Sequence, residues 1–331
     1  MVQENAKGPR AKRRPLRLTS LRWCALVLVA VAVGWAATRS APEVEVDASV
    51  SLATPGLVLR DSATGRLAVQ RPDGSRAQTA VSCARVYATA RRAVCLRPDA
   101  AAPGTFVLDV LGVDLAVEQS VPLNGVPTRA RLSADGRLAA WTVFVSGDSY
   151  TSTGFSTRTG VLDLATGVLV PSLEEFRLVA GDGTQRPLPT DANFWGVSFA
   201  ADDNTFYATM STGSRFSLVQ GDLASETVAV LADGVECPSL SPDGTRLVYK
   251  RRLPDLSWRL EVYDLGSGRR TPLAEPGTVD DQGAWLDDRT VAYGKVDPGS
   301  GEVGVWTVPA DGSGSPSLLA AGAESPSGAR E

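Results

Sequence analysis

The chain of 331 residues contains no histidine, and this absence removes several classes of catalytic site. Serine and cysteine hydrolases that rely on a histidine base are excluded, as are zinc peptidases built on an HExxH helix. Neither Lys250 nor Lys295 follows a serine by three positions, so the Ser-x-x-Lys nucleophile is also missing beyond the amino-terminal region. We therefore predict that the protein is not an enzyme.

Motifs that bind phosphate or metal are missing as well. The sequence has no glycine-rich phosphate loop and no Cys-x-x-Cys pair, which argues against nucleotide hydrolysis and structural zinc. It has no Asp-x-Asp-x-Asp-Gly loop, so a calcium-stiffened structural domain is only a third, weaker hypothesis. We predict no cofactor and no metal site.

Positive charge is scarce outside the amino terminus. Residues 1–22 hold seven Lys and Arg against Glu4 alone. Subtracting them from the totals of 33 basic and 37 acidic residues leaves 26 basic and 36 acidic, a net charge of -10. A domain this acidic lacks the positively charged surface that binds nucleic acid.

A single apolar run follows the basic tail. Residues 23–38 are sixteen uncharged residues between Arg22 and Arg39. As a helix this run spans roughly 24 Å, somewhat less than a ~30 Å hydrocarbon core, and Trp23 and Trp35 suit the two interfaces. Because basic residues precede it, we predict a single-pass signal anchor with a cytoplasmic amino terminus, a linker at 39–55, and an exported domain beyond.

Two other export routes remain open. The apolar run is short for an anchor, so a cleaved signal peptide is the main alternative, although sites near 34–38 fit the small-residue rule poorly. The pair Arg13-Arg14 weakly resembles a twin-arginine signal. All three routes place the domain outside the cytoplasm, at the cell membrane if the anchor is kept.

The most informative feature that is present is a repeated phrase. It reads Leu-Ser-Ala-Asp-Gly at 132–136, Phe-Ala-Ala-Asp-Asp at 199–203, Leu-Ser-Pro-Asp-Gly at 240–244 and Trp-Leu-Asp-Asp at 285–288. Each copy precedes a short apolar stretch, and the period of about 40 to 45 residues is typical of propeller blades with four strands each. The sequence therefore predicts an all-β chain that forms a β-propeller.

The number of blades follows from the turns between third and outer strands. One complete blade is predicted with strands at 235–240, 245–251, 258–265 and 269–273. Matching third-to-outer turns recur six times, near residues 73, 112, 166, 224, 267 and 311, so we predict six blades over 56–320. The interval between Asp135 and Asp203 carries an insertion of about 25 residues. The innermost strand of the first blade must come from 44–52 or from the tail at 321–331, which would close the ring.

These phrases resemble a known family. Residues 240–249, Leu-Ser-Pro-Asp-Gly-Thr-Arg-Leu-Val-Tyr, are similar to the WD-like repeat of TolB-type six-bladed propellers. Together with 193–197, 236–244 and 279–282, they resemble exported actinobacterial proteins of the TolB-like type. The resemblance implies a binding propeller and no catalytic residue. TolB itself has a separate amino-terminal α/β domain, where this chain has an anchor and a linker.

The cysteines agree with export. In 83–95 two strands surround a turn, and pairing symmetric about Thr89 would place Cys83 opposite Cys95, close enough for a disulfide. An oxidising compartment would preserve that bond; the alternative is a pair of buried thiols. Cys237 is left over as a small buried residue.

Topology predicts where a ligand would bind. Loops that lead into inner strands and loops that join second to third strands meet at one end of a propeller channel, the default ligand site of the fold. The candidate binding residues there are Arg129, Tyr150, Asn193, Trp195, Glu236, Asp280, Asp281 and Gln282. The structural alternative is that Glu236, Asp280 and Asp281 only cap backbone amides between blades, and that the Ser/Thr-rich loop around Tyr150 is a solvated insertion.

The sequence thus favours a monomeric, membrane-anchored propeller that binds an envelope protein or a wall polymer. The alternative is an enzyme, a lyase or glycosidase of envelope glycans that uses paired carboxylates such as Glu236 and Asp281.

Overall fold

The computed structural model of the protein describes residues 45–145, 156–297 and 299–330. These residues form six sheets, whose four-stranded blades are antiparallel, and one short 3-10 helix, η1 (Leu173–Glu175). The innermost strands of the six sheets contact one another in a closed cycle, so the sheets are the blades of one ring. The six-bladed all-β propeller predicted from the sequence is confirmed.

Each blade is described from its innermost strand outward. Blade 1 consists of β26 (Ala323–Arg330), β1 (Gly56–Asp61), β2 (Arg66–Gln70) and β3 (Arg76–Ser82). Blade 2 consists of β4 (Arg85–Ala88), β5 (Ala93–Pro98), β6 (Phe106–Leu111) and β7 (Val117–Leu123). Blade 3 consists of β8 (Val126–Leu132), β9 (Leu138–Val145), β10 (Ser156–Asp163) and β11 (Leu169–Val170).

The second half of the ring follows the same order. Blade 4 contains β14 (Asn193–Phe199), β15 (Thr205–Thr212), β16 (Arg215–Asp222) and β17 (Thr227–Asp233). Blade 5 contains β18 (Glu236–Leu240), β19 (Arg246–Arg252), β20 (Trp258–Asp264) and β21 (Arg270–Pro272). Blade 6 contains β22 (Ala284–Trp285), β23 (Thr290–Val296), β24 (Val303–Pro309) and β25 (Ser317–Ala321).

Blade 4 carries the insertion expected between Asp135 and Asp203. The hairpin β12 (Arg177–Val179) and β13 (Gln185–Pro187) extends this sheet to six strands, because β12 pairs in parallel with β17. Phe176 and Leu178 are buried in the core shared with blade 4, which anchors the hairpin through apolar burial.

The carboxyl-terminal segment closes the ring. β26 pairs antiparallel with β1, with Glu324 opposite Arg60, so the tail is the innermost strand of blade 1. The other segment considered for this role lies elsewhere: Val46 bridges in parallel to Gln78 on the outer strand β3. Closure by pairing the two ends of the domain leaves the channel without an unpaired inner edge.

The second strands of the blades form the core. In blade 6, Val291, Ala292 and Tyr293 are fully buried, because this strand lies between two neighbouring sheets and both of its faces are covered. The repeated phrase comes just before each such strand. In blade 5, Asp243 accepts hydrogen bonds from Ser241 Oγ at 2.5 Å and from the Thr245 amide at 3.0 Å, while Gly244 adopts a φ of +70° that the turn requires.

The predicted Cys83–Cys95 disulfide is confirmed, with 5.3 Å between the two Cα atoms. The strand register expected for it is wrong. Cys95 lies opposite Val86, not Cys83, because the turn spans Thr89 to Arg92 and shifts the pairing. Cys83 precedes strand β4, where the connection from blade 1 brings it beside Cys95.

The predicted anchor at 23–38 lies outside the described residues. Among the residues that the structure does describe, no helix is long and apolar enough to cross a membrane.

Candidate functional site

One end of the channel is formed by the loops that lead into the innermost strands and the loops that join second to third strands. We call this end the mouth. The opposite end carries the Asp-Gly turns of the repeated phrase. A cavity of about 430 Å³ lies away from the mouth, beside Arg246 and Arg289 of those turns. The predicted site residues therefore face a different part of the molecule from this cavity.

Residues 280–283, which we call the channel segment, fill the mouth. They lead into β22 of blade 6, and Asp281 and Gln282 are 9% and 6% exposed. The Gln282 side-chain amide donates to the Pro238 carbonyl of blade 5 at 2.8 Å. On the opposite side of the ring, Arg131 of blade 3 donates to the Gly283 carbonyl at 2.8 Å. The segment thus holds together blades that are distant in the sequence.

Two cations fix the first residue of the channel segment. The Lys250 ammonium, which is only 4% exposed, lies 2.6 Å from the Asp280 carboxylate. Arg129 donates to the Asp280 backbone carbonyl at 3.5 Å. Burial lowers the pKa of the Arg129 guanidinium, but Cys237 and the carboxylates of Asp280 and Asp281 raise that pKa by more, so Arg129 stays charged.

Asp281 is held from two sides. Its Oδ2 accepts a hydrogen bond from the Gly294 amide of blade 6 at 2.8 Å, and its Oδ1 lies 3.8 Å from Arg85 of blade 2. Arg85 also lies 3.9 Å from Glu324, and Glu324 pairs with Arg60. Through these ion pairs the channel segment is linked to the strand that closes the ring. The hydrogen bond from the Gly294 amide agrees with the alternative in which Asp281 only caps backbone amides.

Glu236 and Asn193, the first residues of their innermost strands, are also engaged with the fold. Glu236 Oε1 accepts from the Trp258 indole at 3.0 Å. Asn193 Oδ1 accepts from the Thr157 amide of blade 3 at 2.6 Å. Near Asn193, Glu174 accepts hydrogen bonds from Thr159 and Phe194 amides, and burial raises its pKa. The contacts of Asn193 and Glu174 join blades 3 and 4, whereas the contact of Glu236 lies within blade 5.

Aromatic side chains border the mouth where blades 4 and 5 meet. Trp195 lies edge-to-face with Phe216, with 5.9 Å between ring centroids. Arg252 lies over both Phe216 and Trp258, at 5.7 and 5.5 Å from the centroids. The three aromatic rings are half-buried, so part of each faces solvent. Tyr150, also predicted here, lies outside the described residues.

The sequence missed several residues of the mouth. Three of them lie near the ends of second and third strands: Lys250, Trp258 and Phe216. Candidates came only from the loops beside these strands, so the strand residues were passed over. Arg85 and Glu324 occupy the start of innermost strands, the same position as Asn193 and Glu236, so a comparison of equivalent blade positions could have found them. Nothing in the sequence indicated a role for Arg131, because its partner Gly283 lies 152 positions away along the chain.

The chemistry available at the mouth is recognition by charge and by aromatic surface. Within residues 45–145, 156–297 and 299–330, no group of three or more Cys, Asp or Glu side chains is arranged to hold a metal ion. The two carboxylates named for an enzyme, Glu236 and Asp281, both accept hydrogen bonds from groups of the fold.

Solved structures that are similar to this chain include TolB propellers. TolB from Acinetobacter baumannii aligns with a TM-score of 0.57 and 16% identity over 82% of this chain, which spans only 65% of that protein. A protein from Agrobacterium tumefaciens described as TolB aligns with a TM-score of 0.51 and 13% identity, over 81% of this chain and 90% of that one. No protein-family model and no curated protein matches the sequence. The similarity establishes a TolB-like six-bladed fold.

Proposed function

We propose that the protein is a binding module of the cell envelope, held at the membrane by residues 23–38 with its propeller outside the cytoplasm. In this proposal a monomeric ring recognises another envelope protein or a wall polymer at the mouth. The TolB-like fold supports a binding role, and the phrases at 193–197 and 236–244 that resemble exported actinobacterial proteins support the location. The basic tail and the disulfide agree with export.

The main support for the proposal is that the buried polar groups of the channel are bonded to the fold itself. Arg131, Lys250, Asp281 and Gln282 are buried, and each is bonded to another part of the fold. The exposed parts of the mouth are Asp280 and the rim, with half-buried Trp195 and its neighbours. Buried polar groups that are bonded to the fold, beside an aromatic rim, suit the binding of a macromolecular surface better than the turnover of a small molecule.

Crosslinking in intact cells tests this proposal. The full chain is captured after crosslinking and its partners are identified by mass spectrometry, in parallel with a Trp195→Ala variant and a Val168→Ala control on the outer side of blade 3. We expect one envelope component that is captured by the wild type and the control but lost with Trp195→Ala. Equal capture by all three proteins would contradict a binding site at the mouth.

The amino-terminal sequence of the mature protein tests the anchor separately. A start at residue 1 or 2 means that the anchor is kept, and a start near residue 37 means that a signal peptide was removed. Cleavage would contradict the membrane tether and leave the binding proposal in place.

The carboxylate-dependent lyase or glycosidase is the second candidate. It needs Glu236 and Asp281 to exchange protons with a glycan, so Glu236→Gln and Asp281→Asn should each abolish activity on an envelope glycan while leaving partner capture unchanged. If purified protein cleaves no such glycan, this candidate is removed.

A further inference from the structure

A chain of contacts between aromatic and cationic side chains lies where blades 4 and 5 meet at the mouth; we call it the ladder. It is the contact chain Trp195–Phe216–Arg252–Trp258–Lys250, with successive separations of 5.9, 5.7, 5.5 and 4.9 Å. Its members come from four strands, β14, β16, β19 and β20, and each strand is hydrogen-bonded into its blade. The fold therefore fixes the backbone positions from which the members of the ladder extend.

The two cations of the ladder are in different situations. Lys250 is buried and its charge is balanced by Asp280 at 2.6 Å. Arg252 is exposed, and among the described residues it has neither a carboxylate within ion-pair distance nor a hydrogen-bond acceptor. Its contacts are to the faces of Phe216 and Trp258. These contacts orient the guanidinium and leave its N–H donors unused within the described chain.

An oriented guanidinium with free donors is suited to an anion. Five N–H groups in a planar fork match a carboxylate in bidentate fashion, and stacking on aromatic faces reduces the side-chain entropy lost on binding. Apolar surface adjoins Arg252: Leu256, in the next loop, is 63% exposed, and Trp195 is half-buried. The ligand that fits combines a carboxylate with an apolar group beside it.

Charge decides between a protein and an acidic polymer as the source of this carboxylate. The chain beyond residue 22 carries a net charge of -10, which repels a polyanion as a whole. Two exposed aspartates, Asp191 and Asp255, lie in loops on either side of the ladder; the Asp191 carboxylate accepts from the Gly213 amide at 2.7 Å. Hydrogen bonds from Ser257 lower the pKa of Asp255, so it is ionised at neutral pH. A single acidic residue flanked by basic ones complements this arrangement.

We infer that the ladder is the docking site for an extended peptide segment of a partner protein, in which one Asp or Glu beside an apolar residue binds Arg252 and flanking Lys or Arg residues face Asp191 and Asp255. This inference rests on the proposed binding function and specifies its partner. Trp195 and Leu256 contact the apolar residue of that segment.

A displayed library of random twelve-residue peptides, panned against the full chain in detergent, tests the inference. We expect enriched peptides with Asp or Glu next to an apolar residue. The best peptide should bind Arg252→Gln roughly tenfold or more weakly, the loss of one charge-assisted bidentate pair. Arg215→Gln is the matched control: Arg215 is exposed at the start of β16, has no contact in the ladder, and its substitution should leave affinity unchanged.

Two further variants test whether the acidic residue of the peptide binds Arg252 directly. Replacing the acidic residue of the peptide by its amide should weaken binding to the wild type and have no further effect on Arg252→Gln. Arg252→Lys keeps the charge but loses the planar fork, so its affinity should fall between wild type and Arg252→Gln.

Three results would overturn the inference: enriched peptides with no acidic residue, binding that is equal for Arg252→Gln and wild type, or Arg252-dependent binding of hexagalacturonate without any peptide binding. The last result would assign the ladder to acidic saccharides. A crosslinked envelope partner that does not compete with the selected peptide would also overturn the peptide docking while leaving the proposed function intact.

Discussion

The two ends of the ring are built from the same four-stranded unit, yet their polar residues reach over different distances. At the turn end, Asp243 caps the turn in which it lies, through Ser241 and Thr245, and its amide reaches only the next blade, where it donates to Asp288 at 2.9 Å. At the mouth, Arg131 of blade 3 reaches Gly283 on the opposite side of the ring. The turn end thus stabilises each turn and joins neighbouring blades, whereas the mouth also connects blades across the channel.

The largest difference between the ends should appear when one buried carboxylate of the mouth is removed. Asp281→Ala leaves the Gly294 amide without its acceptor and removes one of the two carboxylates that compensate the charges of Arg85 and Arg129. We expect a loss of about 3 to 4 kcal/mol in the free energy of unfolding, measured with urea. A loss below about 1 kcal/mol would show that the channel segment does not hold the ring.

Removing the disulfide tests how much a covalent link at the mouth end adds to the free energy of unfolding. Cys83 and Cys95 close a loop of 12 residues. Replacing both by serine should therefore cost about 2 to 3 kcal/mol. Urea unfolding of the wild type with and without a reductant should give the same difference, and an unchanged midpoint under reduction would contradict it.

The matching change at the turn end should be smaller. Asp243→Ala removes hydrogen bonds from one exposed turn, and we expect a cost of about 1 kcal/mol in the free energy of unfolding. Asp243→Asn, which keeps an acceptor oxygen, should recover part of this loss.

The stabilisation that Asp243 gives the turn end should also be lost in acid. The Ser241 hydroxyl, the Thr245 amide and Arg246 hold the pKa of Asp243 well below its ordinary value. Because the folded-state pKa is the lower one, this stabilisation is complete above about pH 4 and is lost as the pH falls below it. Thermal melting between pH 7 and pH 2 should show a shallower acid loss for Asp243→Asn than for the wild type; parallel curves would contradict the assignment.

The smallest effect on folding is expected at the rim. Arg252 is exposed and engaged only with aromatic faces, so Arg252→Gln should change the free energy of unfolding by less than about 0.5 kcal/mol. Urea titration measures this directly. A larger loss would mean that the ladder serves the fold and not a ligand.

The same contrast explains what could be predicted from the sequence. Each turn of the repeated phrase is capped by residues within it, so the phrase at 240–244 identified the turn and its flanking strands, and the recurring third-to-outer turns gave six blades, which the structure confirms. The mouth depends on pairs such as Arg131 with Gly283, which are far apart in the sequence and follow no period. Topology placed Asp281 and Gln282 in a loop at the mouth, but only the structure shows that they contact other blades. Cys83 illustrates an intermediate case: the disulfide was predicted, and the register was not, because the length of the turn at 89–92 decides it.

A photo-crosslinking amino acid placed at either end of the ring in living cells tests whether the mouth binds the partner. Leu256 lies in a mouth loop, and Ser313 lies in an exposed turn at the opposite end. We expect a specific adduct with an envelope protein from position 256, lost on Arg252→Gln, and none from position 313. The same adduct from position 313, with none from position 256, would contradict recognition at the mouth.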